Sequence, residues 1–77
     1  MLADRDVWES IQSPALRCQL VELVAVESLS ALAEGWRFES VEKAREYVRG
    51  PLERRVQAEA GDRAVEFLRL RCAERGI

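Results

Sequence analysis

The segment of residues 15–34 constrains the fold more than any other part of the sequence, because it is apolar on nearly every side of the helix that its spacing predicts. Its charged residues do not gather on one face. A helix of this kind must be covered on several sides, by the rest of the protein or by another chain. One broad arc holds Leu16, Leu20, Leu23, Val24, Leu29, Ala31 and Leu32, and much of the remainder holds Cys18, Val21, Ala25, Val26 and Ala33.

Four isolated glycines and two prolines divide the 77 residues into five segments. The apolar residues of these segments recur at helical spacing, which leaves almost nothing for strands. A chain of this length holds one hydrophobic core at most. We therefore predict an all-α fold, a helical hairpin or small helical bundle, in a single domain of residues 1–77.

Polar residues indicate where the predicted helices begin and end. Asp6 and Glu9 are expected to cap the first, short helix reciprocally. Ser40 is the expected N-cap of the charged helix that follows it. Gly50 and Pro51 then predict that this helix stops and that another begins.

The last segment carries an apolar residue at every fourth position, and this row runs through Gly61 without interruption. Residues four apart lie on one face of a helix, so we expect one continuous helix over residues 51–75. The alternative is that the chain breaks at Gly61 and that Asp62 caps a new helix. The row consists of Leu52, Val56, Ala60, Ala64, Leu68 and Cys72.

The residues that catalysis and metal binding most often require are missing. The sequence has no histidine, which excludes a histidine-based triad and a histidine-containing zinc site. No histidine can therefore activate its serines or cysteines, and its only lysine, Lys43, falls on the charged side of a predicted helix. The isolated glycines form no phosphate-binding loop. We expect no enzymatic activity, no cofactor and no metal site.

Three features bear on where the protein resides. The start of the chain lacks the basic-then-apolar order of a secretory signal. Cys18 and Cys72 each fall in a helical pattern far from one another, so we interpret them as reduced core residues. Glu22 and Glu27 interrupt the longest apolar stretch, which argues against a membrane-spanning helix. The sequence predicts a cytoplasmic protein without a membrane partner.

Arginine is concentrated around the Gly50-Pro51 corner, and this is the basis of an alternative function. Twelve basic and fourteen acidic residues give a net charge of −2, so no strong overall field attracts nucleic acid. The local cluster of arginines could bind phosphate groups. The alternative function is therefore a nucleic-acid-binding regulator that uses the arginine-rich corner at residues 45–55. Interleaved glutamates favour a solvated, salt-bridged surface instead. The arginines concerned are Arg45, Arg49, Arg54 and Arg55.

The Ser13-Pro14 step, the long apolar segment after it and the Arg49-Gly50 step together suggest a resemblance. In these features residues 7–55 resemble small, uncharacterised helical proteins of tailed bacteriophages. The resemblance implies a helical packing or assembly role, for example in virion or head–tail assembly, and hence a virion-associated protein. It transfers no functional residue, and the proline after Gly50 and the long segment beyond it depart from the layout.

We expect a non-enzymatic protein–protein interaction module, either an assembly component or a small regulator that binds a larger protein. Chains below about 80 residues often rely on disulfides, metals or association for stability. Because this chain offers no convincing disulfide or metal site, we expect a homo-oligomer whose seam covers the second side of the 15–34 helix. The alternative is that helix 51–75 folds back and covers it within one chain. The residues expected at a protein interface are Trp8, Leu16, Val24, Leu29, Leu32 and Trp36.

Overall fold

In the computed structural model, the described part of the chain comprises residues 2–77, with side chains described from Arg5 onward. This part contains α-helices and one π-helical turn, and no strand. The all-α prediction is therefore confirmed. The elements are α1 (Leu2–Ser10), α2 (Pro14–Ala25), α3 (Leu29–Gly35), α4 (Val41–Tyr47), the π-helical turn (Val48–Leu52), α5 (Glu53–Ala60) and α6 (Asp62–Glu74).

The helices form a small bundle around one hydrophobic core, with overall dimensions of 31 × 22 × 18 Å. α6 packs against α5 and also contacts α1 and α2, while α3 packs against α4. Each helix and the π-helical turn contribute at least one residue to the core, which explains why so short a chain can enclose it. The core residues are Val7, Ile11, Leu16, Leu20, Leu23, Leu29, Leu32, Ala33, Ala44, Val48, Leu52, Val56, Ala64, Val65, Leu68, Cys72 and Ile77.

The segment of residues 15–34 forms two helices rather than the single helix that its spacing predicts. Val26 takes an extended conformation after α2, with φ −79° and ψ 149°. Ser28 is the N-cap of α3, where its hydroxyl accepts a hydrogen bond from a main-chain amide at 3.2 Å. A single helix of this length would extend for about 30 Å. The break instead lets Leu29 and Leu32 reach the same core as the leucines of α2.

Residues 41–60 form one continuous helical rod, so the predicted stop at Gly50 and Pro51 is wrong. The predicted cap at its start is confirmed, because the Ser40 hydroxyl accepts a hydrogen bond from a main-chain amide at 3.2 Å. In an α-helix, the ring of Pro51 would clash with the carbonyl group four residues earlier. The chain passes the proline in a π-helical turn, whose wider spacing separates the two groups.

The last segment breaks at Gly61, so the continuous 51–75 helix is wrong and a break is the correct alternative. Gly61 has φ 83° and ψ −171°, a combination essentially restricted to glycine. The N-cap of α6 is Gly61 itself, and Asp62 is the first helical residue rather than the predicted cap. The four-residue apolar row continues across the break because α5 and α6 pack against each other and each directs its part of the row inward.

Two smaller predictions are also wrong. Asp6 lies within α1 rather than at its start, and the Glu9 carboxylate pairs with Arg5 one turn earlier at 3.0 Å. Cys18 is exposed on α2, whereas Cys72 is buried as predicted. Both cysteines are free thiols.

Candidate protein-interaction surface

Both ends of α2 are held by charged side chains from the C-terminal half of the chain. Near its start, the Glu59 carboxylate of α5 accepts hydrogen bonds from two successive main-chain amides, at 3.1 and 2.8 Å. The Ser13 hydroxyl caps α2, and Pro14 occupies the first helical position. Near its end, the Arg75 guanidinium donates a hydrogen bond to the Val24 carbonyl oxygen at 2.8 Å. α2 is therefore fixed at both ends.

The middle of α2 is held by a polar cluster that reaches α4 and α5. The side-chain oxygen of Gln19 accepts hydrogen bonds from the Tyr47 hydroxyl at 3.1 Å and from the Arg55 guanidinium at 3.0 Å. One turn further along, the Trp36 indole N–H donates a hydrogen bond to the Glu22 carboxylate. These contacts anchor α2 along its length, in addition to the packing of its inner face against α6.

The face of α2 that points away from the core is apolar and exposed. Its four apolar residues are spaced four, three and four positions apart, so they form one stripe along the helix. All four are exposed, and 56% of the Val21 surface is accessible. Helical geometry places Arg17 on one flank of this stripe and Glu22 on the other. We call this surface the outer stripe, and it consists of Pro14, Cys18, Val21 and Ala25.

An apolar cleft of about 230 Å³ adjoins the outer stripe where α2 meets α3. The indole ring of Trp36 forms one wall and packs edge-on against Tyr47, with ring centroids 5.7 Å apart. Ala25 belongs both to the outer stripe and to the cleft, so the two form one surface. The cleft is lined by Glu22, Ala25, Val26, Leu32, Gly35 and Trp36.

Of the six residues that the sequence assigns to a protein interface, three are half-buried in the structure and three are buried in the core. Trp8 is half-buried, and its ring packs edge-on against Phe67 of α6 with centroids 5.6 Å apart. Val24 is half-buried, and half-buried Trp36 lines the cleft. The remaining three lie in the core of the single chain and leave almost no surface for another protein: Leu16, Leu29 and Leu32.

None of the four residues of the outer stripe has an interface role in the sequence-based prediction. The sequence assigns Cys18 to the core and gives Val21 no function, because a helix that is apolar all round offers no way to tell its inner face from its outer face. The signal that distinguishes them is size. The face with the leucines is packed inward, and the face with smaller side chains is left outside.

The predicted phosphate-facing arginines serve different parts of the fold. The Arg49 guanidinium donates a hydrogen bond to the main-chain oxygen of Ile77 at 3.2 Å. Arg55 instead belongs to the polar cluster that anchors α2. Arg45 and Arg54 are exposed. Two of the four guanidinium groups are therefore engaged within the chain, on contacts that support the fold.

A larger cavity of about 620 Å³ lies between the π-helical turn and α6. Arg69 and Glu53 form an ion pair at 2.6 Å across it, and this hydrogen bond raises the pKa of the Arg69 guanidinium. Burial raises the pKa of the Cys72 thiol, and the charge of Arg49 opposes this shift in part. Among the residues that the structure describes, no group of three or more metal-ligating side chains lies together. The cavity thus offers a buried thiol and one ion pair.

Comparison of the chain with models of protein families, with curated proteins and with solved structures gave no match. Within the described residues, no helix has both the length and the apolar character needed to traverse a lipid bilayer. The outer stripe and the adjoining cleft are thus identified from the exposure, packing and charge of this chain's own residues.

Proposed function

We propose that this chain is a non-enzymatic protein-interaction module that binds its partner through the outer stripe and the adjoining cleft. The observation that carries the proposal is the exposure of a continuous apolar face on a helix whose opposite face is fully packed. Exposed apolar surface with a polar border is typical of protein contact sites. Arg17 and Glu22 supply that border.

The contacts that anchor α2 support this function. Glu59 holds the start of the helix, the Gln19 cluster its middle and Arg75 its end. A surface that is already ordered loses less conformational entropy on binding than one that must be ordered by its partner. The partner therefore meets a preformed surface.

An assembly component, or a small regulator of a larger protein, fits this arrangement. The resemblance to small helical proteins of tailed bacteriophages implies an assembly role as well. Trp36 gives the cleft an aromatic wall, and tryptophan is among the residues that contribute most to the binding energy of protein interfaces.

Nucleic-acid binding by Arg45, Arg49, Arg54 and Arg55 stays a prediction. We favour protein interaction because Arg49 and Arg55 already donate hydrogen bonds within the chain. A gel mobility assay at low salt separates the two functions. A salt-dependent shift of DNA or RNA that is lost when Arg45 and Arg54 are replaced by glutamine would favour the alternative.

Affinity purification with three forms of the tagged protein tests the proposal. The baits are the parent, Val21→Glu, which places a charge in the outer stripe, and Leu70→Glu. Leu70 is a matched control, because it is 57% exposed but lies on α6. Bound proteins are cross-linked to the bait before washing, so that a weakly bound partner, such as an untagged copy of this chain, is kept. We expect the parent and Leu70→Glu to retain the same partner and Val21→Glu to lose it. If Val21→Glu retains every protein that the parent retains, the proposal is wrong.

A further inference from the structure

We infer that the partner of the outer stripe is a second copy of this chain, and that the two α2 helices pair parallel and in register. The inference rests on the proposed function, because it names the partner of the same surface. It is carried by the heptad spacing of the stripe and by the charges on its flanks.

The outer stripe has the spacing of a coiled-coil seam. In a heptad, the a and d positions face the partner helix. Cys18 and Ala25 take the a positions, and Pro14 and Val21 take the d positions. The leucines of the inner face take c and f positions, which point away from such a seam and into the core of the same chain: Leu16, Leu20 and Leu23.

The flanking charges favour a parallel pair. Arg17 is at a g position and Glu22 is at the e position five residues later. In parallel two-stranded coiled coils, residues at g and at the following e of the partner form interhelical salt bridges. Arg17 of each copy would meet Glu22 of the other, and the twofold axis would form this contact twice. In an antiparallel pair, g faces g and e faces e, so Arg17 and Glu22 would not pair with each other.

Both charged groups are available for this contact. Trp36 donates its hydrogen bond to Oε2 of Glu22, which holds the carboxylate beside the stripe and leaves Oε1 as an acceptor. Arg17 is exposed and gives one long hydrogen bond, at 3.4 Å, to the Glu9 carbonyl oxygen. Its guanidinium has further N–H donors that suit a carboxylate.

The size of the stripe sets the strength of the pairing. α2 has 12 residues and is therefore about 18 Å long. A seam of this length buries much less than the roughly 1,200 Å² that is the lower bound for stable complexes. We therefore expect a reversible dimer that dissociates in the high-micromolar range, rather than an obligate one.

Sedimentation equilibrium from low-micromolar to near-millimolar concentration tests the inference. For the parent and for Leu70→Glu, the mass should rise from 8.8 kDa toward twice that value as concentration increases. Val21→Glu should stay at 8.8 kDa at every concentration. A far-UV circular dichroism spectrum equal to that of the parent shows that the variant is folded.

Charge reversal tests the parallel arrangement. Arg17→Glu and Glu22→Arg should each weaken the dimer by about two- to tenfold, because each creates like-charged pairs across the seam. The double variant should restore association, since it exchanges the partners of both salt bridges. In an antiparallel pair, no such recovery is expected.

The outcomes separate this inference from the proposed function. A parent that sediments as a single chain at every concentration overturns self-pairing. In that case the proposed function stands if Val21→Glu loses a different protein that the parent retains in affinity purification. The proposed function fails as well if Val21→Glu retains every protein that the parent retains. Equal loss of association in Leu70→Glu, or no recovery in the double variant, overturns parallel pairing at the outer stripe.

Discussion

The two faces of α2 are both apolar, but they differ in side-chain size and in exposure. The inner face carries Leu16, Leu20 and Leu23, which are 0–3% exposed, whereas Val21 on the outer face is 56% exposed. Burying a leucine contributes about 1.5–3 kcal/mol, and smaller side chains contribute less. The leucines therefore determine which face enters the core. The weaker outer face remains available for contact with another chain.

The largest expected effect comes from truncating the inner face. Leu20→Ala and Leu23→Ala should each lower the free energy of unfolding by about 2–5 kcal/mol, because each leaves a cavity in the core. In a chain of this size that is a large part of the total stability. Urea unfolding followed by circular dichroism measures the change.

Val21→Ala, on the outer face of the same helix, is the matched control. At concentrations where the chain is a monomer, it should change the free energy of unfolding by less than about 0.5 kcal/mol. If the leucine variants unfold at the same urea concentration as the parent, or if Val21→Ala is as destabilising as they are, the assignment of the two faces is wrong.

The next effect concerns Gly61, whose conformation directs α6 onto the inner face of α2. Gly61→Ala should cost about 1–3 kcal/mol, because the backbone at φ 83° and ψ −171° disfavours any side chain. No atom lies within 4 Å of the added methyl group, so the cost arises from the backbone itself. Gly35→Ala, equally free of neighbours but at a helical position, should leave thermal stability unchanged or slightly higher. Equal melting temperatures for the two variants would contradict this account.

A smaller effect is expected where Glu59 anchors the start of α2. Glu59→Gln keeps the shape of the side chain but removes its charge, so two main-chain amides lose a charge-assisted acceptor. We expect a loss of about 1 kcal/mol in the free energy of unfolding. Hydrogen exchange compared with that of the parent should be accelerated more in the first turn of α2 than in α6. If the substitution accelerates exchange equally in both helices, Glu59 does not hold α2 locally.

The smallest effect is expected at Glu42, which is exposed on α4 and distant in sequence from both faces of α2. Glu42→Ala should change the free energy of unfolding by less than about 0.5 kcal/mol. The same urea titration measures it. A larger loss would mean that exposed charges contribute more to this fold than the packing of α2 suggests.

Helical spacing was enough to predict the fold class and much of the core, but not where the helices end. The chain breaks at Val26 and Ser28 without glycine or proline, because Ser28 caps a new helix whose leucines pack on the same core. It passes Gly50 and Pro51 without a break, because a π-helical turn accommodates the ring. Tertiary packing determines that the helix ends at the first of these places and continues through the second. This packing involves residues that are distant in the sequence, so the local sequence does not reveal it.

The candidate site was less predictable for the same reason. Trp36 and Leu32 were predicted at an interface, and both line the cleft, although Leu32 is fully buried. Leu29, also predicted at an interface, lies in the core. The 4-3-4 spacing of the outer stripe is visible in the sequence. Its exposure is not, because exposure depends on where α6 lies.

The central claim is that the outer stripe of α2 pairs with itself, and a disulfide at Cys18 tests it most directly. With helix axes about 8–10 Å apart, facing α-carbons lie about 4–6 Å from each other, within the range of a disulfide. In a parallel pair, Cys18 faces Cys18 of the second copy, while Cys72 is buried, and burial raises the pKa of its thiol.

Diamide oxidation at high protein concentration, followed by non-reducing electrophoresis and peptide mapping, makes this measurement. Two Cys18 thiols lose two protons and two electrons to the diamide and form one disulfide between chains. We predict a covalent dimer linked through Cys18 in the parent, and none in Cys18→Ser. A parent that remains a single chain, or a disulfide that joins Cys18 to Cys72, would contradict the account.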